Sequence, residues 1–146
     1  MNRLWIAVLL AGFSQLSSAA APDYSALKGR WQVAGVQVDS SGIQAVVVND
    51  PQYMGAEVTF SANKIVWTKG TKERAIDPAT DNCTTTPGLT PADKNDPEES
   101  YQITGGFNVL CGKQPWGPGA VVTLPVKGMM TLYWYDGAIL AMKKAG

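Results

Sequence analysis

The chain holds two cysteines, Cys83 and Cys111, and no histidine. Without histidine it lacks the commonest general base and the commonest metal ligand together. Serines are plentiful, but none has an imidazole to activate it, and no motif supports a Ser–Lys arrangement. Two widely spaced sulfurs without histidine make a poor zinc site. The acidic run Asp93-Lys94-Asn95-Asp96-Pro97-Glu98-Glu99 looks at first like a calcium loop. It fails on inspection, because proline replaces the third ligand position and the turn-forming glycine is missing. Asp39, Asp50 and Glu57 fall near expected strand ends, where paired carboxylates can hydrolyse glycosides, but nothing recommends them. Asn82-Cys83-Thr84 matches a glycosylation acceptor and is read as accidental. The sequence therefore predicts a protein that is not an enzyme and takes no metal or cofactor.

The chemistry that remains is a disulfide. Two cysteines in one exported domain pair most simply with each other. A Cys83–Cys111 bond closes a long loop and stabilises the fold by about 3–4 kcal/mol on the loop-entropy model. Export is read from the first residues. Met1-Asn2-Arg3 is a short positive start, Leu4 to Phe13 is apolar, and Ser14 to Ala21 is small and polar. This is the layout of a secretory signal peptide over residues 1–20, cleaved before Ala21. Its apolar run is short of the roughly 20 residues that a permanent span requires. Phe13 follows Leu10-Ala11-Gly12 where a lipid-carrying cysteine would stand. The expectation is a periplasmic or secreted protein with no stable membrane anchor. Residues 21–146 then form a single domain large enough for its own core. The formal net charge is +0 and no basic block stands in the mature chain, so nothing points to nucleic acid or an anionic membrane.

The elements that must position these residues read as short strands between turns. Trp31 and Val33 share one parity, Val36 and Val38 the other, which places a bulge at Ala34-Gly35. Ile43 to Val48 reads as a strand covered on both faces. Ala56, Val58 and Phe60 alternate with polar residues, and Ala62-Asn63 turns the chain into a strand with Ile65 and Trp67 on one face. Lys69 to Ser100 reads as one long loop tethered through Cys83. Tyr101 to Thr104, Phe107 to Cys111 and Ala120 to Val126 are further strands. Asp136-Gly137 between apolar runs is a two-residue hairpin turn, setting Trp134 opposite Ile139 and Leu132 opposite Ala141. The fold class is all-β: one small antiparallel barrel of about eight strands or, failing that, a β-sandwich.

Gly29-Arg30-Trp31 on the first strand resembles the calycin group of barrels, the lipocalins, avidins and their relatives. The resemblance implies that Trp31 plugs the barrel base and that Lys143 or Lys144, after the last strand, packs a cation over it. It also implies a small-molecule carrier. Trp67, Tyr133 and Tyr135 would line the pocket for an apolar or amphipathic ligand, with the long loop as its gate. The alternative is a periplasmic protein-binding module, of inhibitor or immunity type, whose partner is an envelope or secreted protein. Trp116, on the Pro- and Gly-rich stretch from Gly112 to Gly119, looks exposed and would anchor that interface; otherwise it folds back as a lid on the barrel end. Small residues facing inward, such as Ala34, Gly35, Ala45 and Ala141, would favour a cavity. Large rings inside would favour a filled barrel.

Overall fold

The computed structural model describes residues 23–38, 46–69, 76–92, 106–134 and 137–146. The expected signal peptide and the Asp93–Glu99 run lie outside these residues, as do Tyr135, Ala45 and the expected strand Tyr101–Thr104.

Among the described residues, nine strands form one antiparallel curled sheet. After a 3-10 turn at Tyr24–Leu27 they are β1 (Gly29–Val38), β2 (Glu57–Ser61), β3 (Lys64–Lys69), β4 (Pro87–Pro91), β5 (Phe107–Cys111), β6 (Gln114–Pro115), β7 (Val121–Val122), β8 (Met129–Tyr133) and β9 (Ala138–Lys144). A four-residue helix, α1 (Pro78–Asp81), precedes β4. The order is β3-β2-β1-β9-β8-β7-β5-β4, with β6 also on β5. The first and last strands pair, and the up-and-down sheet curls into a half-barrel, open along a seam between its end strands β3 and β4.

Alternation sets which residues face inward. In β2, Val58 and Phe60 are buried while Glu57, Thr59 and Ser61 are half-buried. In β1 the pairing with β9 shifts between Val33 and Gly35. Ala34 is the extra residue, and the shift returns Val36 to the inside after Trp31 and Val33. The expected bulge is present.

Three readings of the sequence are corrected. The described part of the Ile43–Val48 run, residues 46–48, is not a strand, and Val47 and Val48 are 56% and 68% exposed. Side chains from the next turn take the ladder's place there. Asn49 N donates to Val36 O, Val36 N donates to Asn49 Oδ1, and the buried Asp50 accepts from Val47 N and Gln52 N.

Lys69–Ser100 is not one structureless loop, since it contains α1 and β4. Asp77 caps α1 by accepting from Ala79 N, with Pro78 in the first turn. β4 reads Pro-Gly-Leu-Thr-Pro, which scores poorly as a strand but suits an edge. Gly112 N donates to Thr86 O and Ala92 N to Gly106 O. By antiparallel alternation, Gly88 and Thr90 turn their backbone groups toward β5, and Pro87, Leu89 and Pro91 turn theirs toward the seam. Two of those three positions lack an N–H, so the open edge offers little to an incoming strand.

The last hairpin is slipped by one residue. Tyr133 pairs with Ile139 and Leu132 with Leu140, and Trp134 N donates to Ala138 O at 2.9 Å. The connection is therefore one residue longer than expected. A one-residue slip exchanges faces, and Leu140 and Ala138 join Leu132 and Trp134 inside.

Candidate functional site

The sequence-predicted residues separate into two places, the barrel interior and the start of β1.

At the start of β1, Trp31 is buried. Its Nε1 donates to Leu27 O at 2.7 Å, and Lys144 Nζ lies 4.8 Å from the ring centroid. The Lys144 ammonium also donates to Lys28 O. Gly29 makes room for it, because a Cβ there would sit 2.7 Å from Nζ. Of the two lysines considered, Lys144 covers the ring, since its neighbour Lys143 falls on the exposed parity of β9.

Inside the barrel stand Phe60, Trp67, Trp116 and Trp134, each at most 3% exposed. Trp116 is the hub. Its ring centroid lies 5.6 Å from Phe60, 6.1 Å from Trp67 and 4.8 Å from Trp134. Trp67 and Trp134 meet edge to face at 5.3 Å. These are the separations of favourable aromatic packing, and they leave no gap between the rings for a ligand.

Of the two readings weighed for Trp116, the exposed anchor is corrected, because the ring folds back and is buried. The residue comes from a loop tied back to the sheet: Trp116 N donates to Val109 O, and Gly119 N and Ala120 N donate to Trp116 O. Its indole Nε1 donates to Asp81 O of α1 at 2.7 Å. Gly117 permits the approach, with φ at +55° and a would-be Cβ only 2.7 Å from Cη2 of Trp134. The sequence carries this signal in Trp116-Gly117, where a small, permissive residue follows a large ring.

Trp116 therefore reaches across the seam from the β5–β6 side to α1. Two further links cross at the same place. Cys83 pairs with Ile65 of β3 through two backbone hydrogen bonds of 2.8 and 2.9 Å. Its sulfur is bonded to Cys111 of β5, 28 positions along. Trp67 N donates to Asn82 Oδ1, which ties the segment before Cys83 to β3.

Of the two described residues expected to line a pocket, Trp67 faces inward. Tyr133 takes the other face of β8, where it is half-buried opposite Ile139. The hairpin slip explains its distance from Trp67. Ala34 is exposed, and Gly35 and Ala141 are half-buried on the non-core parity of their strands, so these small residues leave no hollow inside. A cavity of about 120 Å³ lies between β5 and the Trp116 loop, lined by Asn108, Val109, Leu110, Pro115, Gly119 and Ala120. It is smaller than the roughly 300 Å³ at which small-molecule sites begin.

Among the described residues, no group of three or more His, Cys, Asp or Glu stands together to hold a metal. The buried acids serve the backbone. Asp81 Oδ2 accepts from Asp77 N at 2.7 Å, yet burial holds its carboxyl above the ordinary carboxylate range, and the charge of Asp77 adds to the effect. A carboxyl raised by folding favours the native state while protonated and loses that contribution as pH rises through its folded value. Asp81→Asn keeps the acceptor and removes the charge. Its thermal midpoint should exceed that of the wild type at pH 7, and melts at falling pH should show the difference closing as the wild-type carboxyl protonates.

No protein-family model, curated protein or solved structure matches the chain. No helix among the described residues is long and apolar enough to cross a membrane.

Proposed function

We propose that this is an exported, non-enzymatic, calycin-like barrel that works as a protein-binding module of inhibitor or immunity type, through its surface and not through a cavity. The observation that carries the reading is the position of Trp67. The residue expected to line a ligand pocket is packed against Trp116 and Trp134. A carrier needs a hollow, and among the described residues the place where Trp67 points is filled by Trp116 and Trp134. The strand order and the Lys144 contact over Trp31 support the resemblance to calycins. The disulfide supports an oxidising compartment.

One observation favours the small-ligand reading instead. The indole N–H of Trp67 is buried without a hydrogen-bond partner among the described residues, and such groups normally find one. Native mass spectrometry of the protein purified from its host envelope without detergent separates the two. The expected spectrum shows the chain from Ala21 with its disulfide and no small molecule, and the protein in the crude extract elutes in a heavier complex. An added small mass that disappears on denaturation would overturn the proposal and restore the carrier.

A further inference from the structure

Although the chain is electrically neutral as a whole, the fold gathers cations from three distant segments at one end of the sheet. Lys143 of β9 stands in register with Gln32 of β1 on one side and Met129 of β8 on the other. Ala145 N donates to Arg30 O, and Lys144 N donates to Gly128 O. These bonds bring Lys28, Arg30, Lys127 and Lys143, all exposed, around one hairpin tip, with Lys144 beneath them on Trp31. The acids on neighbouring described positions are Asp23, which acts on Lys28, and Glu57, opposite Gln32. A neutral sequence thus hides a local excess of positive charge.

The tip is also apolar. Leu124, Val126 and Met129 are 38%, 68% and 42% exposed. Val126 and Met129 bridge each other across Lys127 and Gly128, both at positive φ. Single exposed aliphatics are ordinary, but several together around one turn beside cations are not.

We propose that this end of the barrel docks on an anionic lipid surface, with Leu124, Val126 and Met129 entering the headgroup boundary and the four exposed cations meeting the phosphates. Residue types decide the occupant. Protein interfaces are enriched in aromatics, methionine and arginine and depleted in lysine; beside Arg30 and Met129 this patch carries three lysines and two aliphatics, and no exposed ring. A fluid interface accepts an apolar turn without a matching pocket, and lysine stems lie along it with their ammonium groups in the phosphate layer. The inference stands independently of the protein-binding reading.

Sedimentation of the oxidised protein with vesicles tests it. Vesicles of phosphatidylcholine containing a quarter phosphatidylglycerol should carry the protein down, pure phosphatidylcholine should not, and added salt should release it. Lys127→Ala and Lys143→Ala should each weaken partitioning roughly five-fold, the effect of one basic residue at an anionic surface. Val126→Ser with Met129→Ser should weaken it further, and Lys113→Ala, on a different turn, should leave it unchanged. All five positions are exposed, and unchanged thermal midpoints identify the folded variants. Equal sedimentation with both vesicle types, no sedimentation, or wild-type binding by the lysine variants overturns the proposal. Retention on polyglutamate resin without vesicle binding also overturns it, since the cations would then serve an acidic polypeptide.

Discussion

Replacing both Cys83 and Cys111 with serine should lower the unfolding free energy by about 3–4 kcal/mol, the loop-entropy value for cysteines this far apart. The structural consequence is more specific than the number. Cys83 is hydrogen-bonded into β3 on one side of the seam, and Cys111 ends β5 on the other. No continuous ladder joins β3 to β4, so the bond does for the barrel what strand pairing does elsewhere along the sheet. Urea unfolding, monitored by tryptophan fluorescence, should show the midpoint falling with the slope nearly preserved if the native state still closes. A serine pair that leaves the midpoint unchanged would mean that packing alone holds the seam. A reduced slope would mean that the seam has opened before global unfolding. Reduction of the wild type should give the same shift, because only the covalent link is removed.

The sequence shows the strands better than it shows their closure. Binary alternation places Val58, Phe60, Ile65 and Trp67 inside, since one face is buried and period two is unambiguous there. The parity switch after Val33 reveals the bulge because it leaves Val36 nowhere else to go. β4 is hidden for a physical reason: its prolines mark a position whose missing N–H groups cost nothing, and that is visible only once the seam is known. The final hairpin fails by one residue because Asp-Gly suits more than one connection length, and both registers place apolar residues inside. The site suffers most. Tyr133 changes faces with that slip, and the loop around Trp116 carries too few apolar neighbours in sequence to reveal that its core lies on other strands. The cationic end is illegible for the same reason, since Lys28, Arg30, Lys127 and Lys143 become neighbours only through the β1–β9–β8 ladder.

Trp116→Ala should be the most damaging single substitution among the described residues. Removing a fully buried indole from the centre of a ring cluster costs about 3–5 kcal/mol. Asp81 O also loses its donor at a buried position, which adds about 1–3 kcal/mol unless water reaches it. A sum near the total stability of an ordinary domain predicts a protein unfolded or barely folded at room temperature. Trp116→Phe separates the two contributions. It keeps a ring near Phe60, Trp67 and Trp134 but has no N–H for Asp81 O, so it should fall between wild type and alanine. Circular dichroism melts of the three proteins measure this directly. The outcome also bears on function. If Trp116 stood outside as an interface anchor, alanine would leave the melt unchanged and abolish only partner binding. Packed as it is, its loss should unfold the module, and any loss of binding would follow from that. A variant that still folds would contain a dry, ring-lined void, and such voids take up small apolar molecules that a well-packed core excludes. Benzene or xenon raising the melting point of Trp116→Ala, with no effect on the wild type, would show that the barrel can be made hollow and that Trp116 is what fills it.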